Sequence, residues 1–289
     1  MRKLITLFIL LTILTSTANA EYLVKLNTDI TKFDVGDYLL GNWLLVDSLD
    51  NLDVAYVQEN YTYTACDIDL DKPAVITNTD MSDLHTNTEP QNNAKIAIID
   101  SGIDLNNKVL SKYIWKAYNV QNKDNNVQDE CGHGTHIAGI IAGISNNKIL
   151  PVKVLGGNGT GKSADIAVGI KWAVDEGAKI INLSLGGTKY DQLMKEAIDY
   201  ARDKGCIVVC ASGNTYGERT TYPACYDNVI SVGAIDKNGQ ISRFSNRGDK
   251  VDVYAFGKAN SFDLSGNFIE KEGTSMACAY VSAELSLVF

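Results

Sequence analysis

The chain has 289 residues, of which 45% are hydrophobic, with 24 glycines and four prolines. That supplies apolar material for one sizeable core and excludes a disordered or low-complexity chain. A formal net charge of −9 argues against nucleic acid as a partner, but does not identify a substrate, because acidity serves solubility equally well.

At the front, Arg2 and Lys3 precede the apolar run Leu4 to Leu14, and Ala18-Asn19-Ala20 offers small residues to a signal peptidase. Residues 1–20 are therefore expected to be a secretory signal peptide. The alternative, a membrane anchor, suffers from a run shorter than the ~20 apolar residues that span a bilayer, and no later stretch is long enough either. Without residues 1–20 the balance is 24 basic against 35 acidic residues, a net charge of −11. Residues 21–65 form a separate region in which Glu21 to Leu26 and Asp53 to Val57 read as short strands. Residues 66–93, polar and rich in Thr, Asn and Asp, read as a linker or surface arm.

From Ala94 the pattern alternates. Strands are expected at Lys95–Ile99, Leu150–Leu155, Lys179–Leu185, Cys206–Ala211 and Val229–Gly233. Helices are expected at Thr135–Ile144, Ser163–Glu176, Asp191–Lys204 (stopped by Gly205) and from about Ser275. This alternation implies an α/β fold of three layers, a mostly parallel sheet with helices on both faces, over residues 94–289. In such sheets functional groups gather outside the carboxyl ends of the strands, where Asp100, Ser184 to Gly187 and Asn214 all fall.

The chain has three histidines, and His85 lies in the polar arm. A histidine base is thus confined to Gly132-His133-Gly134-Thr135-His136, where a partly exposed imidazole could accept a proton. Asp100 breaks a buried apolar strand into a Gly-containing turn and is suited to fix a histidine tautomer; a solvated turn aspartate describes Asp104 better. Ser275, in Gly273-Thr274-Ser275-Met276-Ala277, sits where a helix N-terminus favours developing negative charge. Alone it would more often be a helix cap than a nucleophile. The Asn214 amide and the Ser275 N–H would together make a two-donor oxyanion hole.

With these segments in hand, the chain resembles the subtilisin family of serine proteases. The resemblance rests on I-I-D-S-G-I-D, G-H-G-T-H-I-A-G, N-L-S-L-G-G, A-S-G-N and G-T-S-M-A, in that order. It implies a triad of Asp100, His133 and Ser275, with Asn214 as oxyanion donor. It also implies that Ser184-Leu185-Gly186 and Gly159-Thr160-Gly161 grip an extended peptide, and that Leu185, Ala211 and Gly213 line the first specificity pocket. Residues 21–65 resemble the family's small α+β inhibitory propeptide, which would be cut near Ala65 to leave 224 residues and would act as an intramolecular inhibitor. Protein or peptide substrates follow, with no cofactor required.

Three departures from the family pattern stand out. Only 14 residues follow Ser275, so the end of the core is expected to be missing. The stretch between the His133 helix and Leu150 lacks the family's usual calcium-ligand loop, which leaves calcium as a weak expectation. Ala279 stands where the family generally has proline. Two other functions compete: a zinc enzyme built on Cys131, His133 and His136, and a catalytically inactive binding or decoy protein that keeps the groove. All six cysteines lie beyond the signal and suit either disulfides or buried thiols. Asn60-Tyr61-Thr62 and Asn158-Gly159-Thr160 match glycosylation acceptors.

Overall fold

The computed structural model describes residues 22–26, 43–46, 54–65 and 91–289 except 218; the expected signal peptide and most of the polar arm lie outside them. In the N-terminal region β1 (Tyr22–Leu26), β2 (Trp43–Val46) and β3 (Val54–Glu59) pair antiparallel in the order β2-β1-β3. A further strand, β4 (Thr62–Ala65), leaves that sheet and joins another.

The rest of the chain alternates as expected: β5 (Gln91–Asp100), β6 (Tyr118–Asn119), α1 (His133–Ile144), β7 (Asn147–Lys153), β8 (Thr160–Lys162), α2 (Ser163–Asp175), β9 (Ile180–Leu183), β10 (Leu185–Gly186), α3 (Gln192–Asp203), β11 (Ile207–Ala211) and β12 (Ile230–Ile235). It closes with β13 (Val253–Phe256), the hairpin β14 (Lys258–Phe262) and β15 (Phe268–Glu272), and α4 (Thr274–Ser286). Seven strands form one parallel sheet in the order β13-β12-β11-β9-β5-β7-β6. The chain passes from β5 outward to β7, then returns to β9 on the other side, so the order reverses around β5. A crevice opens at the carboxyl ends of the strands flanking such a reversal.

The period of two along β5 builds both faces of the core. Ile96 and Ile98 pack with Ile137, Ile141 and Met276 of α1 and α4, while Ala97 and Ile99 pack with Ile166, Ile170 and Leu193 of α2 and α3. The result is a three-layer α/β architecture. Asp191 marks the start of α3 by accepting the Met194 amide at 2.8 Å, and Gly205 takes a φ of +78° just after its end.

Sequence patterning missed β13 and the β14–β15 hairpin. Val253–Phe256 and Phe268–Glu272 bury none of their residues fully, so no alternation of buried and exposed positions marks them. The hairpin nevertheless matters, because it packs on α1: Ser261 Oγ donates to His136 O at 2.7 Å and His136 Nε2 meets Ile269 O at 3.2 Å. Gly139 makes room for this contact, since a Cβ there would collide with Ser261 Oγ and come within 3.1 Å of the Phe262 ring. Gly139→Ala is expected to lower stability by about 2 kcal/mol through overpacking. Adding Ser261→Ala should recover part of the loss, which thermal unfolding of the single and double variants would measure.

Candidate active site

The carboxyl end of β5 and the first turn of α1 meet without a gap. Gly134 permits it, because a Cβ there would strike the carbonyl of Gly102, which itself has a φ of +106°. Around this point Ser101 Oγ accepts the Gly134 amide at 2.9 Å and Thr135 Oγ1 accepts the Asp104 amide at 2.9 Å. With the two backbones so fixed, His133 Nδ1 lies 2.7 Å from Asp100 Oδ1, and both side chains are fully buried. A carboxylate can only accept, so Nδ1 carries the hydrogen and the neutral ring keeps its lone pair at Nε2.

Two expectations need correction here. His133 is buried rather than partly exposed, because its ring turns inward onto the strand end to reach Asp100. Asp104 is not a solvated turn residue: it is 5% exposed, and its Oδ1 accepts the Asn106 amide and the Gln128 side-chain amide at 3.0 and 3.2 Å.

Ser275 lies in the first turn of α4, and its Oγ donates to Ser184 O at 3.1 Å, while Ser184 Oγ donates to Ser275 O at 3.1 Å. The reciprocal pair ties the start of α4 to the segment between β9 and β10. Asn214 follows the end of β11, and its Oδ1 accepts from both the amide and the hydroxyl of Thr274 at 3.0 Å. Two donors on one atom identify it as the oxygen, so the opposite end is the NH₂ group. That Nδ2 is buried with no hydrogen-bond partner. One turn below Ser275, burial pushes the Cys278 thiol up to about 12, and Asp100 is near enough to add to the rise. Cys278 is thus an inert packing residue close under the site.

Between the two edge segments lies an extended strand of the chain itself. β4 lies between β10 and β8, antiparallel to both: Thr64 faces Gly186 and Thr160, Ala65 faces Leu185, and Tyr63 faces Gly161. The Ala65 amide donates to Gly159 O at 3.0 Å, extending the ladder to the last residue of the strand. Gly161 must be glycine, because a Cβ there would strike Val154 O. Leu185 and Ala211 are fully buried, and Gly213 takes a φ of +102° while its amide donates to Thr274 Oγ1 at 3.1 Å.

A family model described as the subtilase family matches residues 91–289. The chain belongs to the subtilase family. It is 39% identical to thermitase of Thermoactinomyces vulgaris over 207 residues, 68% of this chain and 74% of thermitase. It is 38% identical over 213 residues to a thermophilic serine proteinase of Bacillus sp. (strain AK1), covering 70% of this chain but only 53% of that protein. A crystal structure of a cold adapted subtilisin-like serine proteinase superposes with a TM-score of 0.65 at 29% identity, covering 68% of this chain and 75% of that one.

In this subtilase the N-terminal region also touches the helices behind the groove. Gln58 Oε1 accepts the Gln192 amide at 2.9 Å at the start of α3. Asn60 Oδ1 accepts the Ala164 amide at 2.9 Å and the Ser163 hydroxyl at 3.1 Å at the start of α2. Each amide oxygen satisfies N–H groups that a helix start cannot satisfy itself. Lys25 pairs with Glu196 of α3 at 2.6 Å. Asn60 is buried in this role, which withdraws it as a glycan acceptor in the folded chain, whereas Asn158 is exposed.

Only Ser145 and Asn146 separate α1 from β7. Among the described residues no three His, Cys, Asp or Glu side chains gather around a common point. No disulfide joins any two of the described cysteines, Cys131, Cys206, Cys210, Cys225 and Cys278.

Sequence reading missed Asp129. Its Oδ1 accepts the Cys131 and Gly132 amides, each at 2.9 Å, and its Oδ2 accepts the Thr135 amide at 2.9 Å and hydroxyl at 2.6 Å. Burial opposes the charge, but the Thr135 hydroxyl and the three amides outweigh it and hold the pKa below its ordinary value. Asp three or four residues ahead of a Gly-His helix start was the available signal. Because the folded pKa is depressed, this stabilisation is complete above the unfolded value of about 4 and fades as pH falls through the folded one. Asp129→Asn is therefore expected to cost about 2 kcal/mol at neutral pH. In melting curves taken down the acid side, its gap from the parent should narrow below about pH 4.

Proposed function

We propose that this chain is the precursor of a secreted serine endopeptidase that cuts peptide bonds through Asp100, His133 and Ser275. The buried 2.7 Å contact between His133 Nδ1 and Asp100 carries this reading, because it leaves Nε2 as the basic nitrogen. Membership of a family with serine proteinase relatives adds weight.

In this mechanism Ser275 Oγ attacks the substrate carbonyl carbon while His133 Nε2 takes the hydroxyl proton. Asp100 holds the ring and stabilises the imidazolium. The carbonyl oxygen becomes an oxyanion that accepts hydrogen bonds from Asn214 Nδ2 and the Ser275 amide. The intermediate then collapses: the C–N bond breaks, the leaving amine takes the proton from His133, and an acyl group stays on Ser275. Water, deprotonated by His133, attacks that ester and releases the acid. The steps use only these side chains and water.

The substrate enters as β4 does, as a strand added between two edges, so its backbone supplies most of the binding. Protein and peptide substrates of broad sequence fit such a site. β4 itself acts as the intramolecular inhibitor until the chain is cut near Ala65. Residues 1–20 are proposed as the signal for export; no described helix is long and apolar enough to cross a membrane.

The purified precursor is expected to clip itself and then digest casein at neutral to alkaline pH, while Ser275→Ala does neither; equal processing and digestion by both would overturn the reading. Asn214→Leu should lower kcat about a hundred- to a thousand-fold with little change in KM, a magnitude taken from subtilisin rather than from this geometry. Asn60→Ala removes the cap on α2 and costs about 1 kcal/mol. The precursor should then release its N-terminal region about five-fold more readily, as a pull-down of the cut complex would measure.

A further inference from the structure

Strand geometry sends alternate β4 side chains to opposite sides, and Tyr63 points inward at 1% exposure while Thr62 and Thr64 face solvent. Its ring packs over Gly187, where an added Cβ would lie 3.3 Å from two ring carbons. The pocket beyond the ring has a polar floor. Asp191 is fully buried there; its Oδ1 is spent on the Met194 amide, and its Oδ2 is buried without a hydrogen-bond partner. Tyr226 Oη donates to Asp191 O at 2.7 Å and accepts the Asp191 amide at 2.9 Å. One hydroxyl hydrogen is thereby used and one lone pair is left.

Asp191 Oδ2 and the spare Tyr226 lone pair are thus two acceptors in the floor. Tyr63 Oη, also buried, stops short of full hydrogen-bond geometry. It lies in the field of both groups: burial first, then the Tyr226 hydroxyl and the Asp191 carboxylate, push its phenol well above the ordinary range. A phenol in this place keeps its hydrogen and, facing two acceptors, serves them as a donor.

We propose that Asp191 and Tyr226 make this groove select tyrosine over phenylalanine at the substrate position two residues before the one that Ala65 occupies. A phenyl ring would fill the same space but bring no donor to Asp191 Oδ2 or to the spare Tyr226 lone pair. This specificity rests on the peptidase reading above.

The test varies the ligand, so folding of the enzyme does not enter. Self-processed enzyme is given a peptide of residues 58–72, and the same peptide with Tyr63→Phe or with Tyr61→Phe. A loss of about ten-fold in kcat/KM is expected for Tyr63→Phe and none for Tyr61→Phe. A second arm needs no catalysis: in the uncut Ser275→Ala chain, adding Tyr63→Phe should speed hydrogen exchange of the Thr64 and Ala65 amides about ten-fold. Equal kcat/KM for Tyr and Phe peptides, or unchanged exchange, overturns the proposal. If no peptide and no casein is cut, the peptidase reading falls, and the exchange arm alone decides whether the pocket reads the hydroxyl.

Discussion

The site depends on one close approach, the backbone of Gly102 against that of Gly134, which lets a strand end and a helix start share a single turn of space. Everything chemical at this rim follows from it. Asp100 leaves β5 as the sheet stops, His133 is the first residue of α1, and 2.7 Å separates their polar atoms only because neither backbone carries a side chain at the crossing. Asp129 then completes the arrangement from outside by holding the first amides of α1. A buried carboxylate on a helix start is electrostatically apt, since the helix end carries partial positive charge.

A second constraint is orientational. An amide side chain can present either end, and the wrong end would place a partial negative charge where the proposed oxyanion would form. Thr274, one residue ahead of Ser275, resolves this by donating twice to the Asn214 oxygen. The helix that carries Ser275 and the proposed oxyanion donor are therefore oriented by the same residue, and the reciprocal bonds between Ser184 and Ser275 anchor that helix to the groove edge.

Most of the fold was legible because its strands are buried on both faces and its helices keep a regular apolar stripe, as in Ile96 to Ile99 and Ile137 to Ile141. β13 and β15 were not, since they are half-exposed and carry no periodic signal. The candidate residues Asp100, His133, Ser275 and Asn214 could be named from local motifs, each a functional group beside glycine at a strand or helix end. Their burial could not, nor could the role of Asp129, because both arise from contacts between segments. The same holds for Gln58 and Asn60: a polar residue in or just after a short strand gives no hint that it caps a helix more than a hundred positions later.

β4 occupies the groove by hydrogen-bonding along both of its edges, to β10 on one side and β8 on the other. A guest that imitates it must offer several consecutive residues whose amides and carbonyls are unclaimed on two opposite sides. Helices spend those groups internally, and strands inside a sheet spend them on neighbours. On the proposed function, a cleft built this way would measure how far a polypeptide has unravelled before it inspects any side chain, and compact proteins, copies of this chain included, would be passed over until a stretch of them comes loose.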